Sequence, residues 1–558
     1  MENQRQFLTI ALFCIIGILS YKWIEFSADP QAPQVSQTQS DVPGLTEAVN
    51  SQDSSVPTIN NDVQSAINGV AVPQEVQASV DLIEVETDLV KAFINPLGGV
   101  IERLELKDQP INLDNPELGY PLLKNTSKDF YVAQDGLLST DKDRAPNHST
   151  QYQSSKNNYQ LGSAEKLSVP LTWTSADGVE ITKIFEFRQD SYLVGVEYQV
   201  NNASSSDWSG LHYGQINRTQ PEDTGGGFGR LPSYNGAVYH TQEEGYEELE
   251  FKDIAKNTLE LPTSRTWAGM AELYFFGGWL SSSDKNIVFS GYNPLEAKYR
   301  IGYRSTIASK VAAGTTGTIN SHVFLGPKEQ SRLSALEDQG YDGLGLTVDY
   351  WYLTAIADLL FFLLSWIHGV VGNWGWSIIL LTVLIKAVFY PLSAASGKSM
   401  AGMKKLQPRM KTLKERYPNP EDRQKFQTEM MALYKQEKIN PAGGCLPILI
   451  QIPVFIALYW VLLESVEIRH APFALWWQDL SSKDPTYLLP LLAGGSMFLM
   501  QKLNPTPMED IQKKVMMILP VVLIILFINF PQGLVLYMVV NNILSMAQQW
   551  YINRKYAS

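Results

Sequence analysis

Between residues 374 and 392 the chain is almost wholly apolar, with Ile378, Ile379, Leu380, Leu381, Val383, Leu384 and Ile385 followed by Ala387, Val388 and Phe389, yet Lys386 stands inside the run. A run of this length is long enough to cross a hydrocarbon core as a helix. A lysine in the middle of such a helix costs roughly 2.5 to 3.5 kcal/mol on insertion scales, so it faces protein, water or a partner rather than lipid. No acidic residue lies inside the other runs that read as spans, and the ammonium group therefore has no evident internal counter-ion.

Average composition hides two different halves of this chain of 558 residues. Residues 1–349 hold 25 Lys plus Arg against 45 Asp plus Glu, whereas residues 350–558 hold 19 against 12, so an acidic half precedes a basic one. Cys14 and Cys445 both sit in apolar surroundings, which excludes a disulfide framework and a Cys/His metal site. The stretch 7–24 follows Arg5 and is long enough to span; Phe26 and Phe13 spoil the two kinds of cleavage signal, so the reading is an uncleaved anchor over 1–26. Residues 27–80 are Ser, Gln, Asp, Asn and Pro with scattered Val and no aromatic, a composition that cannot bury a core and predicts a flexible tether.

From about residue 81 to 349 the texture is that of strands. Asn95-Pro96-Leu97-Gly98-Gly99 separates two strand-like runs, and Val194, Val196, Tyr198 and Val200 alternate with other residues after a turn at Asp190-Ser191. This predicts a large antiparallel all-β sandwich domain. The Gly-rich stretch at 225–229 lacks the Gly-Lys-Ser/Thr ending of a phosphate loop and reads as a loop only. His148, His212, His240 and His322 show no ligand spacing and read as structural, and no acid/base pair stands out. Neither a cofactor nor a metal is expected.

Beyond residue 349, apolar runs at 374–392, 446–463, 487–500, 515–530 and 533–549 read as spans. The run 353–367 is also apolar. Were it to cross, the loop 393–440 with 11 Lys plus Arg against 5 acids would share a face with the acidic domain, which the positive-inside rule opposes. It therefore reads as an interfacial helix over 350–370. Six spans result, with both termini in the cytosol and the β domain on the far side. The loop itself shows helical spacing at Met400, Met403, Leu406, Met410 and Leu413, a break at Tyr417-Pro418-Asn419-Pro420, and renewed spacing at Phe426, Met430 and Leu433. A cytosolic helical hairpin over 393–440 is expected, and its Lys404, Lys405, Arg409, Lys411, Lys414 and Arg416 suit anionic phospholipid or a ribosome carrying a nascent chain. Polar residues within the spans are Ser377, Thr382, Lys386, Gln451, Asn541, Asn542 and Ser545.

Several longer motifs then occur in order: Asn373-Trp374-Gly375, Tyr390-Pro391-Leu392, Gln407-Pro408, Glu429-Met430-Met431-Ala432-Leu433-Tyr434-Lys435, Asn440-Pro441-Ala442-Gly443-Gly444-Cys445, Ala471-Pro472-Phe473-Ala474-Leu475-Trp476 and Phe530-Pro531-Gln532-Gly533-Leu534-Val535-Leu536-Tyr537. In this the chain resembles the YidC/Oxa/Alb family of membrane-protein insertases, over nearly all of residues 350–551. The resemblance implies an inner-membrane insertase and chaperone of Gram-negative type, not an enzyme, working alone or beside the Sec translocon on nascent membrane proteins. It implies a periplasmic β-supersandwich related in fold to sugar mutarotases, and an insertase core of five spans over 371–558 with a hydrophilic groove. The groove residue of the first core span is most often Arg in that family and is Lys386 here; the resemblance also places Thr382, Gln451, Asn541 and Asn542 in the groove and Tyr537 and Met538 against substrate. Met538 stands where a second Tyr is common, and the short tail after Trp550 carries only Arg554 and Lys555 as charges. An ion-coupled transporter or lipid flippase is the alternative, and it lacks the intramembrane carboxylates that coupling uses.

Overall fold

The computed structural model describes residues 81–221, 234–417, 422–437, 446–503 and 510–556; the anchor and tether, the stretch 225–229 and the motif 440–445 lie outside the described residues. Among the described residues twenty strands form an eleven-stranded and a nine-stranded sheet, and every strand pairing there is antiparallel except that of Ile83–Glu86 with Asn158–Gln160. The expected alternation holds in Leu193–Asn202, whose Val194, Val196, Tyr198 and Val200 are buried while it pairs on one side with Val179–Arg188 and on the other with Thr316–Pro327. Period-two alternation suits a strand that turns one face to a core. The turn between Val90–Asn95 and Val100–Pro110 runs through Gly98 and Gly99 at φ of 84° and 57°, and a Cβ on Gly98 would strike the His148 carbonyl, so glycine is required there.

A charged pair bridges the two sheets. Asp135 belongs to the strand Phe130–Leu138 and Lys183 to Val179–Arg188; the Lys183 ammonium lies 2.6 Å from the carboxylate and donates to the Gly99 carbonyl at 2.7 Å. Tyr198 donates its hydroxyl to the other Asp135 oxygen at 2.7 Å, and the His212 ring lies 3.5 Å from it. Burial alone would push the Asp135 carboxyl up; the Lys183 ammonium and the His212 ring outweigh it and hold the carboxyl below its ordinary value.

Ten helices complete the described chain. α1 (Phe251–Lys256) and α2 (Gln330–Glu337) belong to the β unit. After it come α3 (Thr354–Val371), α4 (Trp374–Val388), α5 (Tyr390–Arg416), α6 (Arg423–Gln436), α7 (Leu446–Glu464), α8 (Leu488–Leu503), α9 (Asp510–Phe527) and α10 (Gln532–Tyr556). α3 buries Ala357, Leu360, Phe361, Leu364 and Ile367 while Leu359, Phe362, Trp366 and Val370 stay exposed, with Asp358 exposed among them. By length and composition α3 can cross a membrane alone, and α4 with Tyr390–Met400 can do so as a pair bent by 62°. Among the described residues these are the candidates that meet both criteria; Ile450–Glu464 and Met516–Phe527 are shorter apolar helices.

The bend departs from the unbroken run expected over 374–392. Pro391 stands in the first turn of α5, where it has no N–H to return to the preceding turn, and it disfavours helical backbone just before it. α4 therefore closes at Phe389. Its start is fixed as firmly: the Asn373 side chain accepts from the Trp376 amide at 3.1 Å and donates to the carbonyls of Pro472 at 3.2 Å and Phe473 at 3.1 Å. A Cβ on Gly375 would collide with the Phe473 ring, which explains the pairing of a glycine motif with a phenylalanine motif almost a hundred residues away.

α5 and α6 pack through Met403, Leu406, Met430 and Tyr434, flanked by Met400, Met410, Leu413, Phe426, Met431 and Leu433. These are the positions that the three- and four-residue spacing picks out, with Met431 and Tyr434 added. Arg409 pairs with Glu437 at 2.7 Å across the hairpin, and Tyr417 donates to Glu429 at 2.6 Å.

Candidate functional site

Helix geometry places every third or fourth residue on one face, and on α10 that rule collects Tyr537, Asn541, Ser545 and Gln548. They climb about 16 Å along the axis at ~1.5 Å per residue. Lys386, in the last turn of α4, meets this face: its ammonium donates to the Ser545 hydroxyl at 2.9 Å, and Gln548 donates to the Lys386 carbonyl at 3.3 Å. Ser545 in turn donates to the Asn541 carbonyl at 2.7 Å, the ordinary back-bond of a helical serine. Among the described residues Lys386 forms no ion pair. A cavity of about 230 Å³ opens beside it, lined by Val383, Lys386, Ala387, Leu544, Ala547 and Gln548.

Farther up the same face, Gln451 of α7 donates to the Tyr537 hydroxyl, and Tyr537 is buried against Phe455. Asn541 lies between the two pairs, and its side-chain oxygen is buried without a hydrogen-bond partner. The face is thus a polar strip in an apolar bundle, cationic at one end and amide and phenol at the other.

Of the residues expected in a groove, Lys386, Asn541 and Gln451 lie on this strip, and Tyr537, expected against substrate, lies there with them. Thr382 does not offer its hydroxyl: it is buried and donates to the Ile378 carbonyl of its own helix at 2.6 Å. Asn542 faces the other way and donates to Ser496 at 3.0 Å and to the Ala493 carbonyl at 3.4 Å, joining α10 to α8. Met538 is partly buried against the core. Ser545 and Gln548 are the two members that the sequence reading left out of the groove, and the spacing from Tyr537 would have found both. On the hairpin, Lys405, Arg409, Lys411 and Arg416 are exposed, and Lys404 and Lys414 belong to the same helix, α5.

The histidines are held within the β unit: His148 by Tyr213 at 2.5 Å, His212 by Tyr303 at 3.2 Å and His322 by Tyr341 at 2.9 Å, while the His240 ring stacks on Trp267. No group of three or more His, Cys, Asp or Glu side chains suited to a metal occurs among the described residues.

Residues 82–363 match the family described as YidC periplasmic domain, and residues 366–558 match the one described as 60Kd inner membrane protein. Together they define the class: an inner-membrane protein that joins a large periplasmic β-sandwich domain to a helical C-terminal region. The membrane protein insertase YidC of Methylobacillus flagellatus is 46% identical over 99% of this chain and 97% of its own length, and that of Nitrosococcus oceani is 42% identical over 100% and 99%. The crystal structure of an active YidC insertase aligns at 18% identity and a TM-score of 0.38, over 84% of this chain and 92% of that one. The chain belongs to the YidC family of membrane protein insertases.

Proposed function

We propose that this chain is a membrane protein insertase and chaperone, which moves hydrophobic segments of nascent proteins from the cytosol into the inner membrane along the strip on α10. The observation that carries the reading is the Lys386 ammonium, held in an apolar helix by a neutral hydroxyl rather than by a carboxylate. A cation left in that state attracts the acidic or polar tail of an entering chain, and the substrate supplies the missing counter-charge. Gln451, Tyr537 and Asn541 then offer hydrogen bonds farther along, so that the tail crosses a shortened dehydrated distance while its apolar segment leaves sideways into lipid. Burial of that segment drives the step, aided by the membrane potential on acidic tails. Such a process uses no bond-making chemistry and no cofactor.

The topology that suits this has six spans, an interfacial α3, both termini cytosolic and the β domain periplasmic, because the basic hairpin of α5 and α6 then lies inside. There it would meet anionic phospholipid and ribosomes carrying nascent chains, and the Sec translocon would be a partner for longer clients. Reconstitution into liposomes with a short single-span protein bearing an acidic translocated tail tests the reading. Wild type and Lys386→Arg should insert it, and Lys386→Ala should fall by about tenfold, the rate equivalent of roughly 1.4 kcal/mol. Equal insertion by the alanine variant for all such substrates would remove the charge from the mechanism.

A further inference from the structure

Four residues at and just beyond the outer end of α7 are bound to the β unit one after another. Glu464, the last residue of α7, lies 3.6 Å from the Lys328 ammonium, and both side chains are almost fully buried. Lys328 also donates to the Thr347 carbonyl at 2.8 Å. Next, Ser465 shares a hydrogen bond of 3.2 Å with the Tyr350 hydroxyl. Glu467 accepts the Gln330 amide at 3.0 Å, in the first turn of α2. Arg469 then reaches into the β unit itself, donating to the Pro110 carbonyl at 2.7 Å and lying 3.4 Å from the Gln109 side chain. Its guanidinium sits 5.5 to 5.9 Å from the ring centres of Tyr120, Tyr274 and Phe275.

This density of contact is not what a β domain tethered loosely over a membrane core requires. Interfaces between domains of one chain are ordinarily polar and allow relative motion. Here a lysine and a glutamate have been taken out of water together, and a guanidinium is enclosed by three aromatic rings and backbone oxygens. Such contacts hold only in one geometry, since a buried charge that loses its partner is strongly penalised. All of them converge on the end of one helix. That helix is α7, whose other half carries Gln451 against Tyr537 and Phe455 against the same ring.

We infer that the segment from Glu464 to Arg469 is a socket by which the β unit sets the position of α7, and that Lys328 and Arg469 are positioning residues for the Gln451–Tyr537 end of the groove. The inference rests on the insertase reading given above and assigns the β unit a part in it: it is a brace on a groove helix. Neither Lys328 nor Arg469 touches substrate in this scheme. Their effect passes along α7 over the about 20 Å between residues 451 and 464, with Pro453 near the far end of that path, at ~1.5 Å per residue.

The test uses the full chain in proteoliposomes, with Cys14→Ser and Cys445→Ser as background. In that background Gln451→Cys with Tyr537→Cys reports the α7–α10 contact by the yield of disulfide cross-linking, and insertion is scored separately in chains that keep Gln451 and Tyr537. Arg469→Ala should lower both cross-linking and insertion by about tenfold, the scale of lost hydrogen bonds to a charged group. Lys328→Met should do the same, and Lys328→Met with Glu464→Leu should recover part of both, because it removes the nearest carboxylate while Asp349 and Glu248 still face the vacated position. Should Arg469→Ala fail to fold, Arg469→Lys keeps the charge but loses the forked geometry, and its values should fall between those of wild type and those of Lys328→Met. Cross-linking and insertion that both stay at wild-type levels in folded Arg469→Ala and Lys328→Met would overturn the inference while leaving the insertase reading intact. Insertion that falls with unchanged cross-linking would also overturn it, since the effect would not then pass through α7. Failure of the wild-type chain to insert anything would instead strike at the insertase reading.

Discussion

Lys183 in the β sandwich and Lys386 in the helical bundle are both withdrawn from water, and their surroundings could hardly differ more. Lys183 has a carboxylate, a backbone carbonyl and the faces of Phe185 and Tyr198 around it, and neither it nor Asp135 reaches solvent. Lys386 has one serine hydroxyl and an open cavity. The first arrangement is complete: each charge has its partner, nothing can enter, and the result joins two sheets. The second is deliberately unfinished in the chemical sense, because the attraction of its charge is not spent inside the protein. A buried lysine that stabilises a fold and one that acts on another molecule are therefore told apart by what remains unsatisfied.

The largest effect should come from leaving the completed pair half empty. Lys183→Met strands Asp135 between the sheets and should cost about 3 to 5 kcal/mol of stability, read by denaturant unfolding through the buried Trp208 and Trp279, whereas Lys183→Met with Asp135→Leu should recover most of it. Next comes the converse experiment, which gives Lys386 what Lys183 already has. Ser545→Asp places a carboxylate within reach of the ammonium, so insertion of acidic-tailed substrates should fall by roughly tenfold while the fold is kept. If insertion were unchanged, the contrast between the two lysines would have no functional meaning.

A smaller effect separates the regions by pH. Burial, with the Glu329 charge adding to it, outweighs the amides that favour the anion and pushes the Glu467 carboxyl up to about 7. Its folded value lies above the unfolded one, so its contribution is full below the unfolded value and is lost as pH rises through about 7. Raising pH from 5 to 8 should then lower the unfolding midpoint of the junction by about 2 to 4 °C, and Glu467→Gln should flatten that slope. The smallest effect belongs to the exposed hairpin. Arg409→Ala removes a surface pair with Glu437 and should change stability by less than about 1 kcal/mol, while binding to vesicles rich in anionic lipid weakens measurably in low salt.

Much of this was legible before the structure. Alternation along Leu193–Asn202, the glycines after Pro96 and the methionine spacing in the hairpin each describe a local period, and a local period survives folding. What sequence could not supply was which residues meet across a long separation. Ser545 is on the right face of α10 by its spacing, yet nothing in the chain says that Lys386 points at it. The Arg469 cradle joins positions some 360 residues apart, and none of its partners carries a local signal. Thr382 shows the same limit from the other side: its spacing does not say that its hydroxyl donates to its own backbone at Ile378.

The one-residue break at Phe389 carries a mechanical consequence. α5 has 27 residues and so extends about 40 Å from the break, whereas Lys386 lies only about 4.5 Å before it at ~1.5 Å per residue. A tilt of about 10° around that fulcrum sweeps the far tip of α5 through about 7 Å yet displaces the Lys386 backbone by less than about 1 Å, for a helix of that rise. Near its base the arm leans on α10, where Gly397 leaves room for the buried Ile552. Lys386 therefore sits close to the pivot, where a swing of the basic tip is reduced about ninefold.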